Sequence, residues 1–283
     1  MYLSNYHSHC SFCDGRNSME EFVSSAIAQG ITKYGFSSHA PLPFLTQWTM
    51  LEEDFLDYEK EFYRLKELYS NKIELFLGLE IDYIDGCSDI DNEFFSDKKL
   101  DFTIGSVHYL DKIADNQYWT IDGCFKEFDD GLNQLFGGNI HRASKRFFEV
   151  TGLMIEKGGF DIVGHLDKIT YHGLKYKDFK LTDKWFFDLV SDILLLIKEK
   201  NLILEINTKA LTEHGLTFPH QIFFPLINEM KIPVVVNSDC HYLTRVIDGF
   251  KPTFEALKNA GFKTMQQLFD RNWRAVEFDD WKI

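Results

Sequence analysis

Short apolar runs alternate along the chain with longer stretches in which apolar residues recur every three or four positions. Runs at 2–7, 33–37, 73–83, 102–107, 160–164, 202–206 and 232–237 are the predicted strands. Several are continuously apolar, such as Ile232 to Val236, as expected of strands covered on both sheet faces. The intervening 3.6-residue period predicts helices. Ser18 and Glu21 form an S-x-x-E capping box that opens the first, and Gly30 sits where a C′ glycine belongs. A second helix covers about 52–69, and a third follows Thr182 with Trp185, Leu189, Ile193 and Leu196 along one face. Further helices are predicted over 142–157, 220–230, 252–259 and 264–271. The alternation is unbroken by any repeat, low-complexity tract or Pro/Ser-rich linker. It predicts a parallel α/β architecture, read as one barrel and one domain over 1–283.

Most of these strands end at a residue able to bind a metal. The ends carry His7-x-His9, His39, Glu80, His108, His165 and Asp239-x-His241, while the sixth ends at Asn207, a poor ligand. In a parallel barrel the C-terminal strand ends converge on one rim, where active sites are built. Residues i and i+2 of an extended segment face the same side, so His7 with His9, and Asp239 with His241, can each grip one cation. Imidazole suits zinc, iron or manganese, and carboxylates add harder ligands that bridge ions. Glu80, a central carboxylate among histidines, is the natural bridge. Any single histidine here is more often a hydrogen-bonding or surface residue. It is the recurrence at corresponding positions on separate strands that points to a metal site. His141, His172, His214 and His220 fall in helices or loops and are assigned structural roles, with His172 and His214 nearest the rim. Asp14, on the loop after His9, is read as a ligand in preference to turn chemistry beside Gly15.

The net charge of −14 over 283 residues disfavours a nucleic-acid partner, which needs a basic footprint, and suits a small cationic or zwitterionic substrate. Five cysteines, an odd number, argue for reduced thiols. A closed zinc site wants four ligands, and Cys10-x-x-Cys13 has no second pair, so both thiols are read as loop packing. No apolar run reaches the ~20 residues of a membrane span, and the N-terminus has no secretory pattern. The expectation is a cytoplasmic protein without a membrane partner. No Walker loop or G-x-G-x-x-G occurs, and Asp89-Ile-Asp91 lacks the apolar strand an aspartyl-phosphate motif requires.

Together these elements resemble the polymerase-and-histidinol-phosphatase (PHP) family of metal-dependent phosphoesterases. The matching stretches are HSH, SSHAPLPF, FLGLEIDYI, DFTIGSVHYLD, DIVGHLDKI, LEINT and NSDCHY, in the family's order from residue 6 to about 242. GLEIDYI, GSVHYLD, GHLDKI and EINT resemble its monofunctional histidinol-phosphatase branch. The resemblance implies a distorted (β/α)7 TIM-like barrel with two to three divalent transition metals, zinc, iron or manganese. His7, His9, Glu80 and Asp239 would hold one ion; Glu80, His108 and His165 a second; Asp14, His39 and His241 a third.

The implied reaction is hydrolysis of L-histidinol phosphate to L-histidinol and phosphate in histidine biosynthesis. Clustered cations lower the pKa of a bridging water and neutralise phosphoryl oxygens during in-line attack. Glu80, Asp239 and His241 are the expected catalytic residues, with Asp239 or a rim histidine protonating the leaving alkoxide. Arg16, Asn207 and Lys209 are the expected substrate contacts, ahead of Arg142 and Arg245. The long connection 109–140 is either a lid, with Trp119 and Asp122 suited to an imidazole and an ammonium, or a structural insertion. The alternatives are a PHP phosphoesterase acting on nucleotides or RNA/DNA ends, an amide or lactone hydrolase on a related barrel, and a non-catalytic domain. The intact ligand set argues against the last.

Overall fold

The computed structural model describes residues 3–115 and 117–277. Its strands are β1 Leu3–Asn5, β2 Ile31–Phe36, β3 Glu74–Asp82, β4 Phe102–Ser106, β5 Tyr109–Ala114, β6 Gln117–Thr120, β7 Ile162–Val163, β8 Ile203–Asn207, β9 Val234–Asn237, β10 Thr264–Phe269 and β11 Asn272–Glu277. Seven of them form one sheet in the order β1-β2-β3-β4-β7-β8-β9, every adjacent pair parallel. The two edges meet. Ser8 and Cys240 form a parallel bridge, the His9 amide donates to the Cys240 carbonyl at 3.0 Å, and the Tyr6 amide donates to Asn237 Oδ1 at 2.8 Å. The result is a nearly closed barrel of seven parallel strands, a distorted TIM-like fold. Of the predicted first strand, Tyr2 lies outside the described residues.

The first helix, Met19–Ala28, starts at the Ser18–Glu21 capping box, and Gly30 beyond its end takes φ +81°. A 3₁₀ turn over Glu52–Asp54 opens the second, Phe55–Leu68. The third, Lys184–Glu199, buries Phe186, Val190, Ile193, Leu194 and Ile197, while Trp185, Leu189 and Leu196 are only partly covered. The deepest stripe is therefore rotated from the predicted one. The helices Ile140–Lys157, Phe224–Met230 and Phe250–Asn259 match their predicted segments closely.

One expectation is corrected and one open alternative is resolved. Residues 264–271 are not a helix: β10 pairs antiparallel with β11 across a two-residue turn in which Asp270 and Arg271 both have positive φ. The Met-Gln-Gln-Leu stretch has helical propensity, but tertiary contacts beneath the barrel override it. There the Leu268 amide donates to Tyr6 Oη at 2.9 Å and Lys33 Nζ donates to the Leu268 carbonyl at 3.0 Å. The connection 109–140 is also folded, as the β5–β6 hairpin followed by the helix Phe125–Phe136. Trp119 is 1% exposed and packs on Phe128 and Phe136, with Gly131 beneath its indole. It is a core residue of the insertion and not a substrate contact.

Inside the barrel, Tyr6, Phe76, Phe102, Ile104, Ile162, Ile203 and Val235 form an apolar floor, and Leu268 closes it from below. The Phe102 ring fills the space over Gly78, where a Cβ would lie 2.5 Å from it. Side chains repeat on one strand face every two residues. Continuing upward from this floor, Phe76 leads to Glu80, Ile104 to Ser106, Ile203 to Glu205 and Val235 to Asn237, all buried. The polar site thus stands on the apolar plug, on the same faces of the same strands.

Candidate metal centre

At the C-terminal ends of the strands the predicted ligands converge. Glu80 lies at the centre and is 1% exposed. Its Oε2 is 3.1 Å from His7 Nε2, 3.1 Å from His39 Nδ1 and 3.5 Å from His9 Nε2. Its Oε1 faces the other way, 2.8 Å from His165 Nε2 and 3.7 Å from His108 Nε2, and accepts from Ser106 Oγ at 2.6 Å. The two oxygens of one carboxylate therefore address two groups of histidines, as a bridging ligand must. On the other wall Asp239 Oδ1 is 3.3 Å from His9 Nε2 and 3.8 Å from His7 Nε2. Asp14 Oδ1 lies 3.2 Å from His241 Nε2, 3.9 Å from His39 Nε2 and 4.0 Å from His9 Nδ1. Gly15 permits this return of the loop, because a Cβ there would meet the His9 carbonyl at 2.4 Å.

Three clusters have donor atoms within 4.8 Å of one another: His9, Asp14, His39 and His241; His7, His9 and Asp239; His39, Glu80 and His108. All nine predicted ligands fall in one of these or, for His165, against Glu80 and His108. Among the described residues, His7 Nε2, His9 Nε2, His39 Nδ1 and Asp14 Oδ1 are buried with no hydrogen-bond partner. An unsatisfied buried polar atom costs about 1–3 kcal/mol. Four of them turned toward one another suit divalent cations with mixed nitrogen and oxygen ligation.

The surrounding residues fix these ligands. His7 donates Nδ1–H to Glu205 Oε1 at 2.6 Å and His108 donates Nδ1–H to Asp82 Oδ1 at 2.7 Å, which leaves each Nε2 free to ligate. Glu205 also accepts from the His165 amide, from Asn207 Nδ2 and from Asn237 Nδ2, at 2.9, 3.0 and 3.0 Å. Neither Glu205 nor Asp82 was among the predicted site residues. Cys13 Sγ sits 3.5 Å from His9 Nδ1, and Cys10 Sγ 3.4 Å from Ser38 Oγ; both thiols are free.

Electrostatics follow from this crowding. Burial works against a charged His7, but Glu205, Glu80 and Asp239 hold its pKa well above the ordinary value. Against burial, Asp82 and Glu80 raise His108 to about 9. Burial and the neighbouring His241 push His9 down to about 4. Burial opposes ionisation of Glu80 and Asp239 too, yet His7, His39 and His108 keep Glu80 ionised, as Lys209 and His7 do Asp239.

The centre opens into a cleft of about 840 Å³. Arg16 and Lys209 line it, and Lys209 Nζ reaches Asp239 Oδ1 at 3.1 Å. Asn207 does not. It is fully buried, donates to Glu205 Oε2 and to Asp239 Oδ2, and accepts the Lys209 amide. The expected substrate contact is therefore a spacer between two carboxylates, with its hydrogen-bonding groups already engaged. Arg245 lines the cleft paired with Glu213, whereas Arg142 is an exposed residue of its helix. His214 lines the cleft and His172 is held behind it by the Gly123 carbonyl at 2.9 Å. His141 stacks on Trp185 and the His220 ring accepts the Ile222 amide. Asp122 and Lys168 face the cleft as well, the second a residue the strand-end pattern missed.

Comparison with known proteins agrees with this geometry. A protein named "Probable histidinol-phosphatase" from Deinococcus radiodurans is 24% identical over 270 residues, covering 93% of this chain and 95% of its own. Histidinol-phosphatase of Bacillus subtilis is 26% identical over 255 residues, covering 83% and 92%. The crystal structure of histidinol phosphate phosphatase from Lactococcus lactis, complexed with zinc, L-histidinol and phosphate, superposes with a TM-score of 0.75 at 21% identity, over 96% of this chain and 98% of that one. The PHP domain profile matches residues 5–209, and the Asp239 and His241 pair follows beyond that stretch. With most of its length inside that match, and the barrel and its rim of histidines and carboxylates in place, this chain belongs to the PHP domain family.

Proposed function

We propose that this chain is a metal-dependent phosphomonoesterase that hydrolyses L-histidinol phosphate to L-histidinol and phosphate. One observation carries the reading: nine imidazole and carboxylate donors converge at the floor of a cleft whose walls offer both cations and carboxylates. The names of the full-length relatives and the ligands of the Lactococcus lactis enzyme support the choice of substrate. In this reading His7, His9, Glu80 and Asp239 hold one ion, Glu80, His108 and His165 a second, and Asp14, His39 and His241 a third, with zinc, iron or manganese as the metal. Ions bound there supply Lewis acidity, neutralising phosphoryl oxygens and making water acidic enough to attack near neutral pH.

The chain's own residues do the rest. Glu205 and Asp82 hold His7 and His108 in the tautomer that presents Nε2. Lys209 and Arg16, which line the cleft, are the cations proposed for the phosphoryl oxygens. Glu80, Asp239 and His241 are the proposed catalytic residues; Lys209 and His7 keep Asp239 ionised, which leaves protonation of the leaving alkoxide to a rim histidine. Histidine biosynthesis in the cytoplasm, with 1–283 acting as one domain, belongs to the same reading. No helix among the described residues is long and apolar enough to cross a membrane.

The test compares kcat/KM for histidinol phosphate, a nucleoside monophosphate and a 5′-phosphorylated oligonucleotide. Histidinol phosphate is expected to lead by at least about 100-fold, because the cleft must discriminate at the leaving-group end. A ratio near one, or preference for the oligonucleotide, refutes the substrate and moves the chain to the nucleic-acid side of its family.

A further inference from the structure

Lys168 is 4% exposed yet faces the cleft, three residues after His165, to whose carbonyl its amide donates at 3.0 Å. Its Nζ lies 3.1 Å from Asp122 Oδ1 and 5.2 Å above the Phe218 ring. Asp122 arrives from the opposite direction, on the segment between β6 and the helix Phe125–Phe136. Both side chains line the same cleft as His108, and Lys168 is tied to the His165 turn. A buried ion pair is weak evidence of stabilisation, since desolvation offsets its attraction. A pair placed in a substrate cleft has another use.

We infer that Lys168 and Asp122 exchange partners with the substrate, Lys168 taking a phosphoryl oxygen and Asp122 an ammonium two carbons from the ester oxygen. The inference rests on the function proposed above and names the determinant of its specificity. In a 2-aminoalkyl phosphate the ammonium and the nearest phosphoryl oxygen can approach to about 3 Å, an ordinary charge-assisted contact. Lys168 Nζ and Asp122 Oδ1 are 3.1 Å apart, so a substrate whose two charges span about that distance can meet both partners as their own pair separates. The exchange conserves charge. One ion pair opens and two form, and neither side chain is left unpaired in a partly desolvated wall. An ester without the amine can draw Lys168 away only by taking from Asp122 its 3.1 Å partner, with Lys209 the one lysine left acting on the carboxylate. Leaving a site's own polar group unpaired is how enzymes reject an analogue that lacks one group.

The experiment uses the metal-loaded protein, histidinol phosphate and its deaminated counterpart, imidazolylpropanol phosphate, with inorganic phosphate binding measured by calorimetry. The wild type should favour the amine-bearing ester by about 10- to 100-fold in kcat/KM. Asp122→Asn should bring that ratio toward one while binding inorganic phosphate more tightly, because Lys168 is released. Lys168→Met should weaken phosphate and both esters while keeping the ratio. Opposite signs of phosphate affinity in the two variants are the signature that a merely structural pair cannot give. Equal losses on both esters with weaker phosphate in both variants overturn the inference, as does a wild-type ratio near one. Should the single variants fold poorly, the double change Asp122→Asn, Lys168→Met strands no charge; it must lose the ratio or the inference fails. If the wild type hydrolyses neither ester, the proposed function fails, and the phosphate affinities alone then decide on the pair.

Discussion

Glu205→Gln isolates what a buried carboxylate contributes beneath the metal centre. Glu205 Oε1 accepts from His7 Nδ1 at 2.6 Å and Asn237 Nδ2 at 3.0 Å, and Oε2 from the His165 amide at 2.9 Å and Asn207 Nδ2 at 3.0 Å. All four partners are donors. Glutamine keeps the shape but turns one oxygen into an NH₂ group, so two donors lose their acceptor whichever way it is placed. With NH₂ toward His7, the imidazole must move its proton to Nε2, the atom that faces Glu80 and Asp239, and it ceases to be a ligand there. With NH₂ toward His165, a backbone amide and the Asn207 side chain are left unpaired. Two unsatisfied buried groups cost about 2–6 kcal/mol at about 1–3 kcal/mol each. That lowers the melting midpoint by roughly 5–20 °C for a chain of this size. Loss of a ligand's supporting partner typically reduces metal affinity by about 10–100-fold. Chelator competition and thermal melts with and without added metal read both quantities. A Glu205→Gln protein with wild-type metal affinity and an unchanged midpoint would refute the tautomer argument and reduce Glu205 to filling space.

Glu80→Gln should lose more metal and more activity than His39→Ala, because one carboxylate addresses both groups of histidines; equal effects by elemental analysis and turnover would remove the bridge. The double change Cys10→Ser, Cys13→Ser should leave metal content nearly unaltered, since a hydroxyl can still meet His9 Nδ1; loss of one ion per chain would make the thiols ligands. Metal binding should strengthen as pH rises from about 6.5, the ordinary histidine value, toward about 9. The sign follows from His7 and His108, whose raised pKa values mean that protons occupy both until a cation displaces them. Calorimetry in buffers of different ionisation enthalpy should show that proton release, and an affinity flat across this range would contradict it.

The candidate ligands were legible because all but Asp14 share one address, the C-terminal end of a strand or the residues just after it, and that address can be read from apolar runs. Residues that act on the ligands have no common address. Glu205 and Asp82 did leave a trace: each is a carboxylate on the inward face of an otherwise apolar strand, two residues from a residue already singled out. Asn207 was misread for the complementary reason, since its strand-end position does not reveal that Glu205 and Asp239 already engage its amide. Asp122 was singled out on the long connection, but its pairing with Lys168 left no trace, because their meeting depends on the β5–β6 hairpin bringing residue 122 back over the rim. The β10–β11 hairpin was hidden by its turn, which uses Asp270 and Arg271 at positive φ without a glycine to mark it.

The barrel's seam runs through the metal centre. His7 and His9 follow β1, Asp239 and His241 follow β9, and Asn5 donates to Ser238 across 233 residues of chain. Closing a loop of that length costs about 5 kcal/mol of chain entropy. The donor set is therefore complete only after the two ends of the fold have met. In the proposed reading, an ion shared by His7, His9 and Asp239 would serve as a clasp between the first strand and the last. Because it binds the native state alone, its free energy is added to the cohesion of that seam. Chelation should accordingly loosen the molecule first along the Tyr6, His9 and Cys240 amides, and only afterwards at the β4–β7 side, where the sheet is continuous.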